Sequence, residues 1–212
     1  MSIRRTIVSV EVYQEIKKAL FDGTWPAGAR LDRKQLAERF GISQTPVNDA
    51  LNRLTGEGLL ESRLHDGFFV PDYSDIELAD LFAVRAGLES IAARLCADTC
   101  DEKARRTISA CFAAFKKGIV DGQQAAYLQA DRSFHTLILE YSGSSRLNEV
   151  EAVFGIACRS YEHGLIRSPA ETLPEHLAIV DAIGRKDGRA AQLAMAEHLL
   201  ATRAFLLVKA TG

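Results

Sequence analysis

The sequence predicts a mainly α-helical protein that carries one small β-hairpin and is divided into two domains. Apolar residues recur at the three- and four-residue spacing of a single helix face through most of the 212 residues. Glycines and prolines interrupt these runs most often in residues 1–72, so the elements predicted there are short. Hydrophobic residues make up 47% and charged residues 25% of the chain, which is typical of a folded protein and excludes the disordered and collagen-like classes.

The domain boundary is predicted in the segment VPDYSD. Pro71 cannot continue a helix or a strand ladder, and Asp72, Ser74 or Asp75 can cap the helix that follows. We therefore expect a first domain over residues 1–72 and a second, all-helical domain over residues 73–212.

The first half of the first domain is predicted to contain two helices and a very short strand. A helix over residues 9–22 places Val12 and Ile16 on one face and ends at Gly23. The segment TWPAGARL predicts a turn and the strand. A second helix follows in DRKQLAERF, with Asp32 as its cap and Gly41 at its end.

A third helix and a hairpin complete this domain. Ser43 can cap the helix, and Pro46 falls in its first turn, where the missing N–H costs nothing. Two apolar runs around HDG in LLESRLHDGFFV predict the hairpin. The order of helix, short strand, helix, tight turn, helix and hairpin is that of a winged helix-turn-helix, whose helix after the turn enters the major groove of DNA. The apolar stripe of this helix comprises Val47, Ala50, Leu51 and Leu54.

The charge balance by itself does not indicate a nucleic-acid binder. Lys and Arg total 26 against 28 for Asp and Glu, a net charge of −2. Phosphate contacts usually come with a basic surplus. On this ground alone, DNA would not be the expected partner.

Specific residues in both domains resemble one family of bacterial transcription regulators. The run GARLDRKQLAERFGISQTPVNDALNRLTGEGLLESRLHDGFFV resembles the N-terminal domain of the GntR family. The stretches LFAVRAGLESIAARLCA, DRSFHTLILEYSGSSRL and EHLAIVDAIGRKDGRAAQLAMAEHL resemble the FCD effector domain of its FadR branch. The resemblance implies a head that binds double-stranded operator DNA and a helical body that binds an effector and forms a homodimer.

The recognition helix departs from the family pattern. Where the family usually has SRTPVREA, this chain has SQTPVNDA, so Gln44 and Asn48 replace two arginines. Gln and Asn pair bidentately with adenine rather than guanine, which predicts an altered half-site. The alternative for Thr45 is helix capping and packing only. The predicted DNA-contacting residues are Arg33, Ser43, Gln44, Thr45, Asn48, His65 and Gly67.

Four residues of the second domain predict a metal site. Asp131 and His135 are four apart on one helix face, whereas His176 and His198 are separated by GRKDG and therefore lie on two further helices. Three imidazoles and a carboxylate suit a divalent transition metal, although a lone helical histidine is more often a hydrogen-bonded core residue. In the FCD resemblance these four positions carry the metal ligands. Zinc is the expected ion, with manganese or nickel as alternatives, and positions left open could accept an effector carboxylate.

The effector is predicted to be a small carboxylate. The resemblance places Arg85 in the effector pocket, where a guanidinium suits a carboxylate; the alternative is an i,i+4 salt bridge to Glu89. Arg159 and Tyr161 are further candidates, and His163 lies outside the metal pattern. Two other functions stay open: a regulator in which the ion itself is the signal, and a metal-dependent enzyme, for which no general base is evident.

Location and thiol chemistry follow from absences in the sequence. The start MSIRRTIVSV is followed by charged residues rather than a cleavable apolar segment, and no window of about 18 apolar residues occurs, which predicts a cytoplasmic protein without a membrane partner. The cysteines form no CxxC pair, so we expect reduced, buried thiols. They are Cys96, Cys100, Cys111 and Cys158.

Overall fold

The computed structural model describes residues 3–64, 66–120, 122–154 and 164–211. Its contacts divide the chain into two compact units, Met1–Tyr73 and Ser74–Gly212, which we call the head and the body. The described residues are mostly helical, and the small amount of strand lies in the head. The predicted fold class is therefore confirmed.

The head contains three helices and a three-stranded antiparallel sheet. In chain order its elements are α1 (Ile3–Phe21), β1 (Arg30–Leu31), α2 (Arg33–Phe40), α3 (Gln44–Gly56), β2 (Glu61–Arg63) and β3 (Gly67–Phe69). The sheet order is β1-β3-β2, with Leu31 opposite Phe68 and Arg63 opposite Gly67. We call the β2–β3 hairpin the wing.

Local sequence explains where the head helices begin and end. Asp32 caps α2 by accepting hydrogen bonds from the backbone N–H groups of Lys34 and Gln35 at 2.8 and 2.9 Å. Gly41 ends α2 in the left-handed region at φ 66°, where a side chain would be strained. Ser43 holds the N-cap position of α3, but its side chain makes no capping hydrogen bond, so that part of the prediction is wrong.

The buried stripe of α3 anchors the head core. The four residues predicted for that stripe are at most 1% exposed, and they pack with Val12 and Ile16 of α1 and with Phe68 of the wing. Since α3 packs with its apolar stripe inward, Gln44 and Thr45 at its start stay exposed. The core thus holds the helix that the sequence assigns to DNA recognition.

A hydrogen-bonded ion cluster joins α1 to the residue after α3. Glu57 accepts from the Tyr13 hydroxyl at 2.8 Å and from Lys17 Nζ at 2.8 Å, and its side chain is 12% exposed. Burial alone would raise the pKa of the Glu57 carboxyl, but the hydrogen bonds from Lys17 and Tyr13 outweigh it and lower that pKa. The ionised carboxylate is therefore the form that stabilises the head.

Replacing Glu57 with glutamine is expected to destabilise the head by about 1–2 kcal/mol at pH 7. Because the folded-state pKa lies below the ordinary value of 4.5, this contribution is present above pH 4.5 and is lost as the pH falls through the folded-state value. Trp25, the single tryptophan, packs against the head core, so urea unfolding followed by its fluorescence at pH 7 and pH 4 measures the difference. The exposed Glu38→Gln is the control, and an undiminished Glu57→Gln effect at the lower pH would contradict the assignment.

The body is helical throughout its described residues. Its elements are α4 (Asp75–Thr99), α5 (Glu102–Ala110), a 3-10 turn (Ala113–Phe115), α6 (Gln124–Tyr141), α7 (Ser145–Phe154), α8 (Pro169–Gly184) and α9 (Gly188–Thr211). Helix α4 begins with a capping box in which Ser74 and Glu77 satisfy each other's backbone N–H groups. Helix α9 packs along α4, and α6 and α8 also contact α4.

Buried polar side chains are concentrated where these four helices meet. Arg85 and Glu89 of α4 are each 2% exposed, and the charged or polar groups of α6, α8 and α9 nearby are buried as well. Buried charges persist only when they are paired or bind an ion. This interior region is therefore the place to look for a site.

The remaining sequence expectations concern thiols and membrane spans. Cys96 is buried, but Cys100 and Cys111 are only half-buried, which corrects the expectation for those two; Cys158 lies outside the described residues. Burial raises the pKa of the Cys96 thiol, which keeps it protonated. Among the helices of the described ranges, none has the length and apolar character needed to cross a bilayer.

Candidate functional site

Three histidines from three different helices converge in the body. His135 lies on α6, His176 on α8 and His198 on α9, and each is at most 5% exposed. One ring nitrogen from each lies within 4.8 Å of the corresponding atoms of the other two. The spacing argument for three separate helices is thus confirmed in the geometry.

His135 is oriented by a buried Arg–Glu pair on α4. Its Nδ1 hydrogen-bonds to Glu89 Oε2, and Glu89 Oε1 accepts from Arg85 Nε at 2.6 Å. A carboxylate only accepts, so His135 Nδ1 is the donor, and in a neutral imidazole Nε2 then carries the lone pair. Burial alone would raise the pKa of the Glu89 carboxyl, but Arg85 and His135 hold that pKa well below its usual range.

His198 is oriented in the same way by a second Arg–Glu pair. Its Nδ1 donates to Glu175 Oε2 at 2.7 Å, and Arg167 clamps Glu175 with two hydrogen bonds of 2.9 and 2.7 Å. Burial alone would raise the pKa of Glu175, yet His198 and Arg167 lower it. The Nε2 atom of His198 is left available to a ligand.

His176 takes its orientation from a hydroxyl chain. Thr172 donates to the backbone oxygen of Ser168, so it accepts from Tyr127, and the Tyr127 oxygen is left to accept from His176 Nδ1 at 2.9 Å. Phe112 stacks on the imidazole with ring centroids 4.6 Å apart. Here too Nε2 carries the lone pair, and burial raises the pKa of the Tyr127 hydroxyl, which stays protonated.

Ring nitrogens and a carboxylate converge at the centre of the cluster. The Nε2 atoms of His135 and His176 are 3.4 Å apart, and Asp131 presents its two carboxylate oxygens to them at 3.5 and 3.6 Å. Two nitrogen ligands of a tetrahedral Zn²⁺ lie roughly 3.3 Å apart when each bond is about 2.0–2.1 Å. Two imidazole nitrogens and a carboxylate at this spacing are a donor set that fits a divalent metal.

The protonation state of the cluster also suits metal binding. Burial lowers the pKa of His176 well below its usual value, and it lowers the pKa of His198 in spite of the hydrogen bond to Glu175. Both imidazoles are therefore neutral at pH 7, which is the form that ligates metals.

A small cavity adjoins the cluster and defines what fits beside it. Its volume is about 30 Å³, and its lining includes Arg85, Asp131, His135, Arg167 and His198. Such a volume accommodates roughly one or two water molecules, or an ion. Arg85 lines this cavity and makes the salt bridge with Glu89 that the sequence left open as the alternative, and its contact with an effector stays a prediction.

Some candidate residues cannot be placed. Arg159, Tyr161 and His163 lie outside the described residues of the body, and His65 lies outside those of the head. They stay as sequence predictions.

The head presents a groove of about 590 Å³ between α2, α3 and the wing. Gln44, Asn48, Arg33 and Gly67 of the predicted DNA-contacting set line it, and Ser43 and Thr45 are exposed beside them. Arg33 Nη1 donates to Asn48 Oδ1 at 3.2 Å, so the helix and the groove edge are linked. Gly67 has φ 113°, a conformation that favours glycine at the start of β3.

The same groove gathers basic residues that were not predicted. Arg30, Lys34 and Arg63 line it together with Arg33, and the acidic residues in the described lining are Asp66 and Asp32, the second of which caps α2. The balanced charge of the whole chain does not reveal this local grouping of basic residues. A pattern of basic residues at helix starts and in the hairpin was the available signal.

In the body, sequence reasoning missed the residues that orient the histidines. Tyr127, Glu175 and Arg167 had no assigned role, and Glu89 was considered only as a partner of Arg85. Glu175 precedes His176 in the chain but serves His198, because adjacent residues on a helix point about 100° apart. No spacing rule within one helix could have revealed that pairing.

Matches to known protein families cover both the head and the body. Residues 80–201 match the model of the FCD domain, and residues 8–70 match that of the bacterial regulatory proteins of the gntR family. The chain belongs to the GntR family and carries an FCD domain. The first resemblance stated above is thereby confirmed, and the three histidines and Asp131 all lie within the FCD match.

Two curated relatives of this GntR protein are named as transcription regulators, and each match covers most of both chains. An uncharacterised HTH-type regulator, YdhC of Bacillus subtilis, is 27% identical over 91% of this chain and 86% of its own. A probable repressor of a D-xylose utilisation operon in Paenarthrobacter nicotinovorans is 28% identical over 94% of this chain and 88% of its own. The solved structure of E. coli McbR/YncC is similar with a TM-score of 0.72 and 25% identity, over 95% of this chain and 98% of that one. This GntR protein is a transcription regulator.

Proposed function

We propose that this GntR regulator is a ligand-responsive repressor whose body holds a divalent metal ion and senses a small organic acid bound beside it. Zn²⁺ is the favoured ion, with Mn²⁺ or Ni²⁺ as alternatives, since nitrogen and oxygen ligands discriminate poorly among them. One observation carries the proposal: the Nε2 atoms of His135 and His176 and the Asp131 carboxylate converge in the interior at distances of 3.4–3.6 Å.

The ion would be held by Asp131, His135, His176 and His198, and it supplies an electrophile for an anionic effector. Glu89, Glu175 and Tyr127 keep the three imidazoles in the ligating tautomer. Arg85 and Arg167 hold the two glutamates ionised. An effector that favours one arrangement of the body over another then shifts the affinity for DNA by its differential binding.

The head is proposed to contact operator DNA through α3 and the wing, and a homodimer to present two heads to two half-sites. Paired apolar residues on the body support self-association. Val84 and Ile91 are seven apart on α4, Leu193 and Leu200 are seven apart on α9, and all four are more than 40% exposed. The basic groove supplies the phosphate contacts. Two such grooves on one dimer bind the same DNA molecule more tightly than one groove alone.

Base preference is a testable part of this proposal. Binding-site selection from random duplexes is expected to return adenines opposite Gln44 and Asn48, because these side chains pair bidentately with adenine. The variant Gln44→Arg should move the preference at its position to guanine by about 1–3 kcal/mol. Lys34→Gln is the matched control and should weaken all sequences alike. Guanines opposite both residues in the wild-type selection would contradict the prediction.

The whole proposal is tested on the selected operator by fluorescence anisotropy. Chelator-treated protein, Zn²⁺-loaded protein, and loaded protein with a panel of small carboxylates are compared. We expect a carboxylate to lower operator affinity by at least about tenfold, a coupling of roughly 1.4 kcal/mol. If the protein binds no duplex under any of these three conditions, the proposal is refuted.

A second candidate is a regulator for which the ion itself is the signal. The cavity of about 30 Å³ favours it, because a volume of that size holds an ion beside the histidines without any organic ligand. A large change in operator affinity on adding Zn²⁺ alone, with no further change from any acid, would establish this candidate instead.

A further inference from the structure

A second cavity lies on the far side of the segment 165–167. Its volume is about 370 Å³, within the range of small-molecule sites, and residues 165–167 line both it and the cavity at the histidines. We call the two the inner and the outer cavity. Arg167 is the cation common to both linings among the described residues.

The lining of the outer cavity is mainly apolar. Its lining residues are Gln124, Ala125, Leu128, Leu165, Ile166, Arg167, Ser168 and Pro169. The Ser168 hydroxyl is engaged with Glu171 in the capping box of α8. Among the lining residues that the structure describes, the polar side chains that remain are Gln124 and Arg167, which favours an apolar ligand body over a sugar acid.

The two arginines near the histidines differ in accessibility. Arg85 and its partner Glu89 are each 2% exposed and form the interior salt bridge. Arg167 is 11% exposed, and its partner Glu175 is 29% exposed. Breaking the Arg85 pair would leave a buried charge, whereas the Arg167 fork can exchange one carboxylate for another near solvent.

We propose that the outer cavity holds the organic part of the effector, that Arg167 binds its carboxylate, and that the effector is a monocarboxylic acid with an apolar body. This inference rests on the proposed function and specifies its ligand class. The effector carboxylate takes the place of Glu175 on the guanidinium. Glu175 then loses the two hydrogen bonds that fix its position, so the orientation that it gives His198 changes, which couples the outer cavity to the proposed metal ligands.

The test is isothermal titration of the Zn²⁺-loaded full-length protein with hexanoate and with gluconate. We expect hexanoate to bind and gluconate to bind at least about tenfold more weakly. Arg167→Gln should weaken hexanoate binding by at least about tenfold, since a charge-assisted two-point contact is lost. Arg185→Gln, which removes an exposed arginine paired with Asp181 at the end of α8, should leave it unchanged.

A cavity-filling pair provides a second, independent variant. Ala125 lines the outer cavity, whereas its neighbour Ala126 does not, and both are exposed. Ala125→Phe should abolish hexanoate binding and Ala126→Phe should retain it. Equal hexanoate affinity in the two variants, or tighter binding of gluconate than of hexanoate, overturns the inference.

Zn²⁺ and operator binding are measured on the same samples, so a failure of this inference can be distinguished from a failure of the proposed function. Protein that binds Zn²⁺ and operator but not hexanoate overturns this inference and leaves the repressor assignment standing. Protein that binds neither Zn²⁺ nor operator refutes the proposed function itself.

Discussion

Replacing His176 with alanine is expected to lower the affinity of the regulator for Zn²⁺ by more than about 100-fold, beyond the range seen for losing an orienting partner. The imidazole is fully buried, and its Nε2 faces both His135 and Asp131, so its removal deletes a ligand that no neighbour can replace. Competition with a chromogenic chelator measures the affinity. The thermal stabilisation that Zn²⁺ gives the wild type should disappear in the variant.

A graded comparison separates a metal site from a merely hydrogen-bonded core histidine. Tyr127→Phe removes the hydroxyl that accepts from His176 Nδ1, and we expect it to cost about 10–100-fold in Zn²⁺ affinity. Tyr141→Phe, at the other end of α6, is the matched control and should match the wild type. Wild-type affinity in His176→Ala would refute the metal assignment, and wild-type affinity in Tyr127→Phe would refute only the orienting role.

Replacing Arg85 with methionine is expected to destabilise the metal-free body by about 3–5 kcal/mol. The Arg85–Glu89 pair lies in the interior, and removing the cation leaves an ionised carboxylate without its strongest partner. Urea unfolding followed by far-UV circular dichroism measures the loss, because the single tryptophan reports only on the head. Arg94→Met removes an exposed arginine of the same helix, paired with Asp98 at 3.9 Å, and should cost at most about 0.5 kcal/mol.

The double variant Arg85→Met/Glu89→Met tests the cause of that loss. If the cost comes from the uncompensated charge, removing the carboxylate as well should restore part of the stability. A double variant less stable than Arg85→Met would mean that the contact between Glu89 and His135 matters more than the charge on Glu89. A loss below about 1 kcal/mol in Arg85→Met would show that the pair is not effectively buried.

Local patterns were sufficient to predict the elements that position both sites. The cap at Asp32, the left-handed glycine at position 41 and the buried stripe of α3 follow from interactions within a few residues. The placement of His176 and His198 on two helices likewise follows from GRKDG, which interrupts the helical pattern between them. Ser43 shows the limit: it holds the predicted cap position, but its side chain makes no capping bond.

The orienting partners could not be predicted, because each of them joins helices that are distant in the chain. Glu89 and His135 are 46 residues apart, and Tyr127 and His176 are 49 apart. Spacing within a helix says which face a side chain occupies, but the helix that covers that face depends on how all four helices pack. The gathering of Arg30, Arg33, Lys34 and Arg63 around one groove has the same origin.

The sequence by itself therefore determined the class of this protein: a winged head with an altered recognition helix, and a helical body with an Asp and three His at a spacing that suits a metal site. Those features depend on residue type and on short-range spacing, and the regular geometry of helices and strands allows both to be interpreted from the sequence. Only the tertiary structure decided which nitrogen of each imidazole meets a hydrogen-bond partner. It also decided that Arg85 is buried with Glu89, whereas Arg167 lines two cavities. Hydrogen-bond partners and burial are properties of packed helices, so they exist only once the chain has folded.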